Sequence, residues 1–227
     1  MRESQIFFDV LLHLGTLLAV TVYLRTDIWK ILKGVREAFI DHELRPSTRL
    51  SLWIILATIP TGLMGLFLKG WFESLFSKPK MVGGMLLITG LFLWLTQWAK
   101  KDGRTVEKMT WIDSVLIGIA QGVAIVPGIS RSGATISAGL FRGLDRELSG
   151  KFSFLLSIPA ILGATILEFR KMGTQGEVGL SLIGMAVAFG VGLLSLTFLM
   201  KIIKSGKLHN FSYYCWGMGI MMILLVK

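Results

Sequence analysis

The stretch "PGISRSGAT", Pro127–Thr135, decides the fold. It sets an arginine, three hydroxyls and two glycines directly after a proline. The chain around it is 53% hydrophobic over 227 residues, with a mean hydropathy of +0.67. Pro127 has no N–H and ends a helix, and Gly128 permits the turn that follows. From Ala134 the sequence "ATISAGLF" restarts a helix. Ser130, Ser132 and Gly133 therefore fall at a helix N-terminus, where free N–H groups and the helix dipole attract an anion. Arg131 adds a permanently charged fork suited to phosphate. A charge at membrane depth is costly and marks function by default. The alternative reading is simple N-capping by Ser130 or Ser132, with Arg131 snorkelling to the interface.

The runs on either side set the class. Phe7–Leu24, Leu50–Leu68, Met81–Ala99, Phe152–Leu167, Gly179–Met200 and Phe211–Val226 reach or approach the roughly 20 apolar residues that cross a bilayer as a helix. A seventh run, Trp111–Pro127, leads into the motif. The chain reads as one all-α, multi-pass membrane domain over 1–227, because lipid cannot satisfy an open sheet edge. The net charge of +10 belongs to topology and not to nucleic acid. The lone Cys215 lies in an apolar run and reads as packing.

Two topologies compete at the motif. In one, Trp111–Pro127 and Ala134–Leu144 form a hairpin that comes in and leaves on the same side. Its second arm, at 1.5 Å per residue, covers about 16 Å, half a hydrocarbon core. In the other, Trp111–Pro127 crosses fully. With the hairpin, loops 25–49, 100–110, 142–151 and 201–207 share one side and carry 16 Lys and Arg, against 7 opposite. With a full crossing the split is 13 to 10. The positive-inside rule favours the hairpin, with the basic side cytoplasmic and the N-terminus outside.

The chain also reads as two copies of one unit. "FDVLLHLGTLLAVTV" (Phe8–Val22) aligns without gaps on "FSFLLSIPAILGATI" (Phe152–Ile166). "LSL" at Leu50–Leu52 and "GLMGL" at Gly62–Leu66 find "LSL" at Leu180–Leu182 and "GLLSL" at Gly192–Leu196 at the same spacing. A copied three-span unit reverses its orientation, so the expectation is an inverted repeat, each copy with a re-entrant hairpin. The second copy, 111–226, carries hairpin 111–144. The first, 5–99, is incomplete, and its partner hairpin is expected upstream of Met1.

Few other polar groups lie at depth. Asp9 and His13, four residues apart, share a helix face and offer either a hydrogen-bonded tie to neighbouring helices or a proton or metal contact. Gln121 stands one and a half turns before Pro127. Glu168 and Arg170 close a span and read as interfacial, Trp71, Trp98, Trp111 and Trp216 as belt or packing aromatics, and His42 and His209 as solvated loop residues.

"QGVAIVPGISRSGATI" (Gln121–Ile136), followed by "KFSFLLSIPAILGAT" (Lys151–Thr165), closely resembles the undecaprenyl-diphosphate phosphatase family, the bacitracin-resistance proteins of bacteria. "FFDVLLHLGTLLAVTVY" (Phe7–Tyr23) resembles that family's first full span. The resemblance runs from about Gln5 to Val226. It implies a cytoplasmic-membrane enzyme that removes the terminal phosphate of undecaprenyl diphosphate on the outer side. That reaction recycles the lipid carrier for peptidoglycan, and with it cell-wall biogenesis, cell shape and bacitracin resistance. The resemblance also implies a divalent cation, Mg2+ or Ca2+, with ligands not identified in this chain. The catalytic roles fall on Ser130, Arg131 and Thr135, with Ser132, Gly133 and Gly128 at the phosphate and Asp9, His13 and Gln121 as polar support. The family's first motif, a glutamate-rich stretch followed by a serine-rich turn and a histidine, has no counterpart here. The expectation is a shortened chain with weak activity. The expected partners are a polyprenyl diphosphate lipid and the membrane, not nucleic acid, and a homodimer is left open. A transporter or flippase for an anionic polyprenyl lipid is the competing reading, since it needs the anion site and no acid–base set.

Overall fold

A computed structural model describes the chain except for Met1 and residues 42–45, 69, 72–74, 76–77, 101, 170–177 and 226–227. His42 and Arg170, and the side chain of Glu168, lie outside the described residues. The described α-helices follow the apolar runs, apart from the second and the sixth. They are α1 (Arg2–Tyr23), α2 (Arg25–Asp41), α3 (Pro46–Phe67), α4 (Pro79–Leu95), α5 (Trp111–Val123), α6 (Arg131–Phe141), α7 (Arg146–Phe169), α8 (Val178–Lys204) and α9 (Phe211–Leu225). Short 3-10 turns cover Thr96–Trp98, Val106–Lys108 and Leu208–Asn210. No strand occurs among the described residues. The chain is an all-α, multi-pass membrane protein. Four stretches are long and apolar enough to cross a bilayer: Thr48–Phe67, Pro79–Trp98, Arg146–Leu167 and Val178–Lys204. Phe7–Tyr23 joins them as a pair with Arg25–Arg36, bent by 75°.

Close helix contact is made where side chains are small, as expected when lipid supplies no hydrophobic drive. α1 lies along α8, where a Cβ on Gly15 would strike the Met185 carbonyl. α4 lies along α9, with the Trp216 indole N–H donating to the Leu87 carbonyl at 3.1 Å. α5 lies along α3, where a Cβ on Gly118 would strike the Ala57 carbonyl. Cys215 is buried in this packing, as its sequence position suggests.

α5 and α6 form a hairpin. α5 runs parallel to α3: the Ser114 hydroxyl donates to the Trp53 carbonyl, Gly118 faces Ala57, and Gly122 faces Met64. The turn 124–130 then reverses the chain, and α6 returns to the level where α5 began. There Arg104 and Leu144 form an isolated parallel bridge. Asp113, in the first turn of α5, takes hydrogen bonds from Arg142 Nε at 2.7 Å and from Arg104 Nη2 at 3.0 Å. Its carboxylate also closes a capping box with Thr110.

All four loops assigned to one side by charge meet at this end. Arg49 reaches the Glu107 carbonyl at 3.0 Å. Lys151 pairs with Asp27 at 3.0 Å, and Glu147 pairs with Lys204 at 2.9 Å. These contacts tie 25–49, 100–110, 142–151 and 201–207 together.

The boundaries correct the sequence reading in four places. α5 ends at Val123, four residues before Pro127, because Pro127 cannot donate to the Val123 carbonyl; Val126 N takes that acceptor at 3.1 Å. α6 starts at Arg131 and not at Ala134, so the motif's arginine, serine and glycine form its first turn. Residues 25–41, expected as loop, form a helix. His209 is not a solvated loop residue, since the turn Leu208–Asn210 packs on α4 and buries its Nδ1.

Candidate functional site

The motif is held by residues far away in sequence. Gly128 has φ +93°, a conformation that favours glycine, and a Cβ there would strike the Val82 carbonyl of α4. Thr89, buried in the middle of α4, donates its hydroxyl to the Gly128 carbonyl at 3.0 Å. The same hydroxyl accepts the Ser130 N–H at 3.1 Å. One threonine thus fixes both ends of the turn. Measured along α4, the motif runs from Val82, near the helix start, past Thr89 to Leu93, which faces Gly133.

Ser130 is the N-cap of α6. Its Oγ accepts the Gly133 N–H at 3.1 Å, and its carbonyl accepts the Ala134 N–H at 2.8 Å. Thr135 is buried, with 1% exposure. Its Oγ1 donates to the Arg131 carbonyl at 2.8 Å and meets Ser153 Oγ of α7 at 2.6 Å. These groups are spent on internal bonds: the Thr135 hydroxyl, the Gly133 N–H, the Gly128 carbonyl, and the acceptor side of Ser130.

What stays free is informative. Arg131 is half-buried, and its guanidinium makes no hydrogen bond or ion pair with any described residue. The N–H groups of Arg131 and Ser132 open the helix and have no described partner, and neither does the Ser132 hydroxyl. A half-buried guanidinium beside two N–H groups without described partners at a helix start is an arrangement able to receive an anion.

Of the supporting residues, Gln121 is buried at 2% exposure between three helices. Its Nε2 donates to Thr61 Oγ1 at 3.5 Å and to the Leu156 carbonyl at 3.4 Å, while its Oε1 has no partner. Gln121 therefore joins α3, α5 and α7 beneath the motif. Asp9 and His13 do share a face of α1, but both are exposed and neither side chain makes a hydrogen bond or ion pair with a described residue. They are not the tie between helices; α1 is held by the Gly15 contact instead. Their face is polar, whereas Leu18, on another face, is an exposed apolar residue of the kind that meets lipid. Among the described residues, no three His, Cys, Asp or Glu side chains gather as a metal site would require.

Sequence reasoning missed Thr89, Ser153, Thr61 and Asp113. Each is a buried polar residue within or beside an apolar run, and in lipid such groups are expected to find a partner.

A family model described as "Bacitracin resistance protein BacA" matches residues 1–221. An undecaprenyl-diphosphatase of Carboxydothermus hydrogenoformans is 42% identical over 231 residues, covering 99% of this chain and 84% of that protein. One of Desulforapulum autotrophicum is 40% identical over 237 residues, covering 98% and 85%. One of Methanothermobacter thermautotrophicus is 48% identical over 175 residues, covering 75% of this chain and 97% of its own length.

Proposed function

The chain belongs to the bacitracin resistance protein family, and on that premise we propose that it is an undecaprenyl-diphosphate phosphatase of the cytoplasmic membrane. It hydrolyses undecaprenyl diphosphate to undecaprenyl phosphate and inorganic phosphate, which recycles the lipid carrier for cell-wall synthesis and confers bacitracin resistance. Water attacks the terminal phosphorus, the anhydride P–O bond breaks, and the bridging oxygen leaves with the lipid phosphate. The observation that carries this reading is the Arg131 guanidinium at the start of α6, which has no partner among the described residues.

Phosphoryl transfer asks mainly for positioning and charge stabilisation. The Arg131 fork and the N–H groups of Arg131 and Ser132 supply donors where charge gathers on the diphosphate oxygens. The Ser132 hydroxyl, with no described partner in the same helix turn, can donate to a phosphate oxygen. The Ser130 hydroxyl keeps its hydrogen for the same use, although its acceptor side is taken by the cap. Thr135, Gly133 and Gly128 position the turn and are not proposed to touch the substrate. Asp9 and His13 are free to handle a proton. A divalent cation, Mg2+ or Ca2+, belongs to this proposal as a counter-charge for the diphosphate. The described residues form no cage for one, so no step runs through it.

The inverted repeat, 5–99 against 111–226, is part of the same proposal. Its support is the pairing of α1 with α8, α3 with α7 and α4 with α9, which matches first span to second, second to first and third to third. The basic end of the bundle is placed in the cytoplasm on the positive-inside rule, so the hairpin tip opens outward.

The test is phosphate release from undecaprenyl diphosphate by the purified protein in detergent with Mg2+, for wild type and Arg131→Ala. Removing a donor of this kind is worth about 10²–10³ in rate. Movement of the lipid across vesicles with no phosphate released, in wild type as in the variant, would favour transport and overturn the hydrolase.

A further inference from the structure

α4 carries one hydroxyl side chain, Thr89, in an otherwise apolar stretch from Val82 to Leu95. A threonine inside a helix ordinarily returns its hydroxyl to a carbonyl of the preceding turn. Thr21, Thr58, Thr135 and Thr197 all do so, each donating to the carbonyl four residues back at 2.8 to 2.9 Å. Thr89 is buried at 2% exposure and makes no such bond. Its hydroxyl leaves its own helix and is spent on the hairpin turn, as donor to the Gly128 carbonyl at 3.0 Å and acceptor from the Ser130 N–H at 3.1 Å.

This decides which donors of the motif stay open. A hydroxyl both donates and accepts, so Thr89 occupies a carbonyl and an N–H of the turn at once. The Gly133 N–H goes to Ser130 Oγ, and the Ala134 N–H to the Ser130 carbonyl. Between these closed positions, the N–H groups of Arg131 and Ser132 are left with no described partner. Thr89 is itself held from behind. A Cβ on its neighbour Gly90 would strike the Trp216 indole of α9, and the Trp216 N–H donates to the Leu87 carbonyl at 3.1 Å. α9 thus fixes α4 on one side, and α4 presents Thr89 to the turn on another.

Resting on the phosphatase reading, we propose that Thr89 is a positioning residue of the reaction. It touches no substrate. It fixes Gly128 and Ser130, and through them it aims the Arg131 fork and the two open N–H groups at the diphosphate. Donors stabilise developing charge best when they are aligned beforehand. Without the hydroxyl, the Gly128 carbonyl and the Ser130 N–H lose their shared partner at membrane depth, and the turn must move to find others. A misplacement of about 1 Å at a reacting centre is worth about a hundredfold in rate.

The test uses the full chain in detergent with Mg2+. Phosphate release from undecaprenyl diphosphate is measured for wild type, Thr89→Val and Thr89→Ser, and thermal unfolding checks that each variant folds. Thr89→Val keeps the shape and removes the hydroxyl, and should lower kcat/KM by about tenfold to a hundredfold. Thr89→Ser keeps the hydroxyl and should recover most of that loss. The same valine change in an Arg131→Ala background should cost less, because the main group it aims is gone. Thr89→Val matching wild type, or serine failing to recover activity, overturns the proposal. An equal fold-loss with and without Arg131 also overturns it, since Thr89 would then serve the fold alone. Should Thr89→Val not fold, Thr89→Cys takes its place, because a thiol bonds only weakly, and serine should again exceed it. If wild type releases no phosphate, the phosphatase reading fails, and titration of undecaprenyl phosphate decides for Thr89. Binding weakened about threefold to tenfold in Thr89→Val and restored in Thr89→Ser supports the positioning role, and equal binding overturns it.

Discussion

Arg142 Nε donates to Asp113 Oδ1 at 2.7 Å, joining the residue that ends α6 to the first turn of α5. The two residues are the feet of one hairpin. The Asp113 side chain is fully buried, whereas Arg142 keeps 40% of its side chain exposed and Arg104 keeps 32%. The carboxylate therefore depends on its partners more than they depend on it. Asp113→Ala should destabilise the protein by about 2–3 kcal/mol, the low end for a broken buried pair because the arginines can turn to water. Arg142→Gln should cost less, since Arg104 still holds the carboxylate. Thermal unfolding in detergent checks the order of the two variants, and equal losses would mean that Asp113 is not the hub.

The same pair brings the segments flanking the hairpin to one end of the bundle. In a Cys215→Ala background, single cysteines at Asp102 and Lys207 should react with an impermeant reagent from one face of sealed vesicles. A cysteine at Lys78 should react from the opposite face, and one at Ser132 from the Lys78 face. Asp102 and Lys207 reacting from opposite faces would restore the full crossing that the charge balance disfavours.

Arg131→Ala should weaken binding of polyprenyl phosphates by about 1.5–3 kcal/mol, as expected for a hydrogen-bonded charge. Arg131→Lys should recover only part, because a point charge replaces the fork. Wild type and Arg131→Ala binding equally would show that the guanidinium serves only packing. Titration of undecaprenyl phosphate into detergent-solubilised protein reads the difference.

Thr135 and Ser153 form a hydroxyl pair at 2.6 Å that anchors the first turn of α6 to α7. Thr135→Val leaves Ser153 without that partner and should cost about 1–3 kcal/mol. Adding Ser153→Ala should then cost little more, so the two losses should not add. The kinetic readout separates positioning from contact. If Thr135 acts through Arg131, Thr135→Val should raise KM alongside the loss of turnover, and Ser153→Ala, which cannot reach substrate, should do the same to a smaller extent. Strictly additive losses would break the link between the two hydroxyls.

Much of this molecule is legible along the chain because lipid imposes one-dimensional rules. A span must be long and apolar, and Phe7–Leu24 or Gly179–Met200 announce themselves as such. Basic loops gather on one side, and counting them selects the hairpin before any contact is known. Pro127 and Gly128 mark its turn because one has no N–H and the other tolerates positive φ. The resemblance carried by PGISRSGAT points to the family from the same residues.

Which hydroxyl is free and which is spent is another matter. Ser130, Ser132 and Thr135 look equivalent in the string, yet Thr135 is claimed by Ser153, Ser130 by the Gly133 N–H, and Ser132 by nothing described. Likewise, Thr89 reads as one more residue in an apolar run until it is seen holding both ends of the turn. A hydrogen bond is made by whatever group the fold brings within about 3 Å, and here those groups come from 18 and 41 residues away. The sequence by itself determined the apolar spans, the gathering of the basic segments at one end and the place of the motif, because burial in lipid acts on each segment independently. Only the tertiary structure decided that Arg131 and Ser132 have no partner among the described residues while Ser130 and Thr135 are paired, because pairing depends on distant segments meeting.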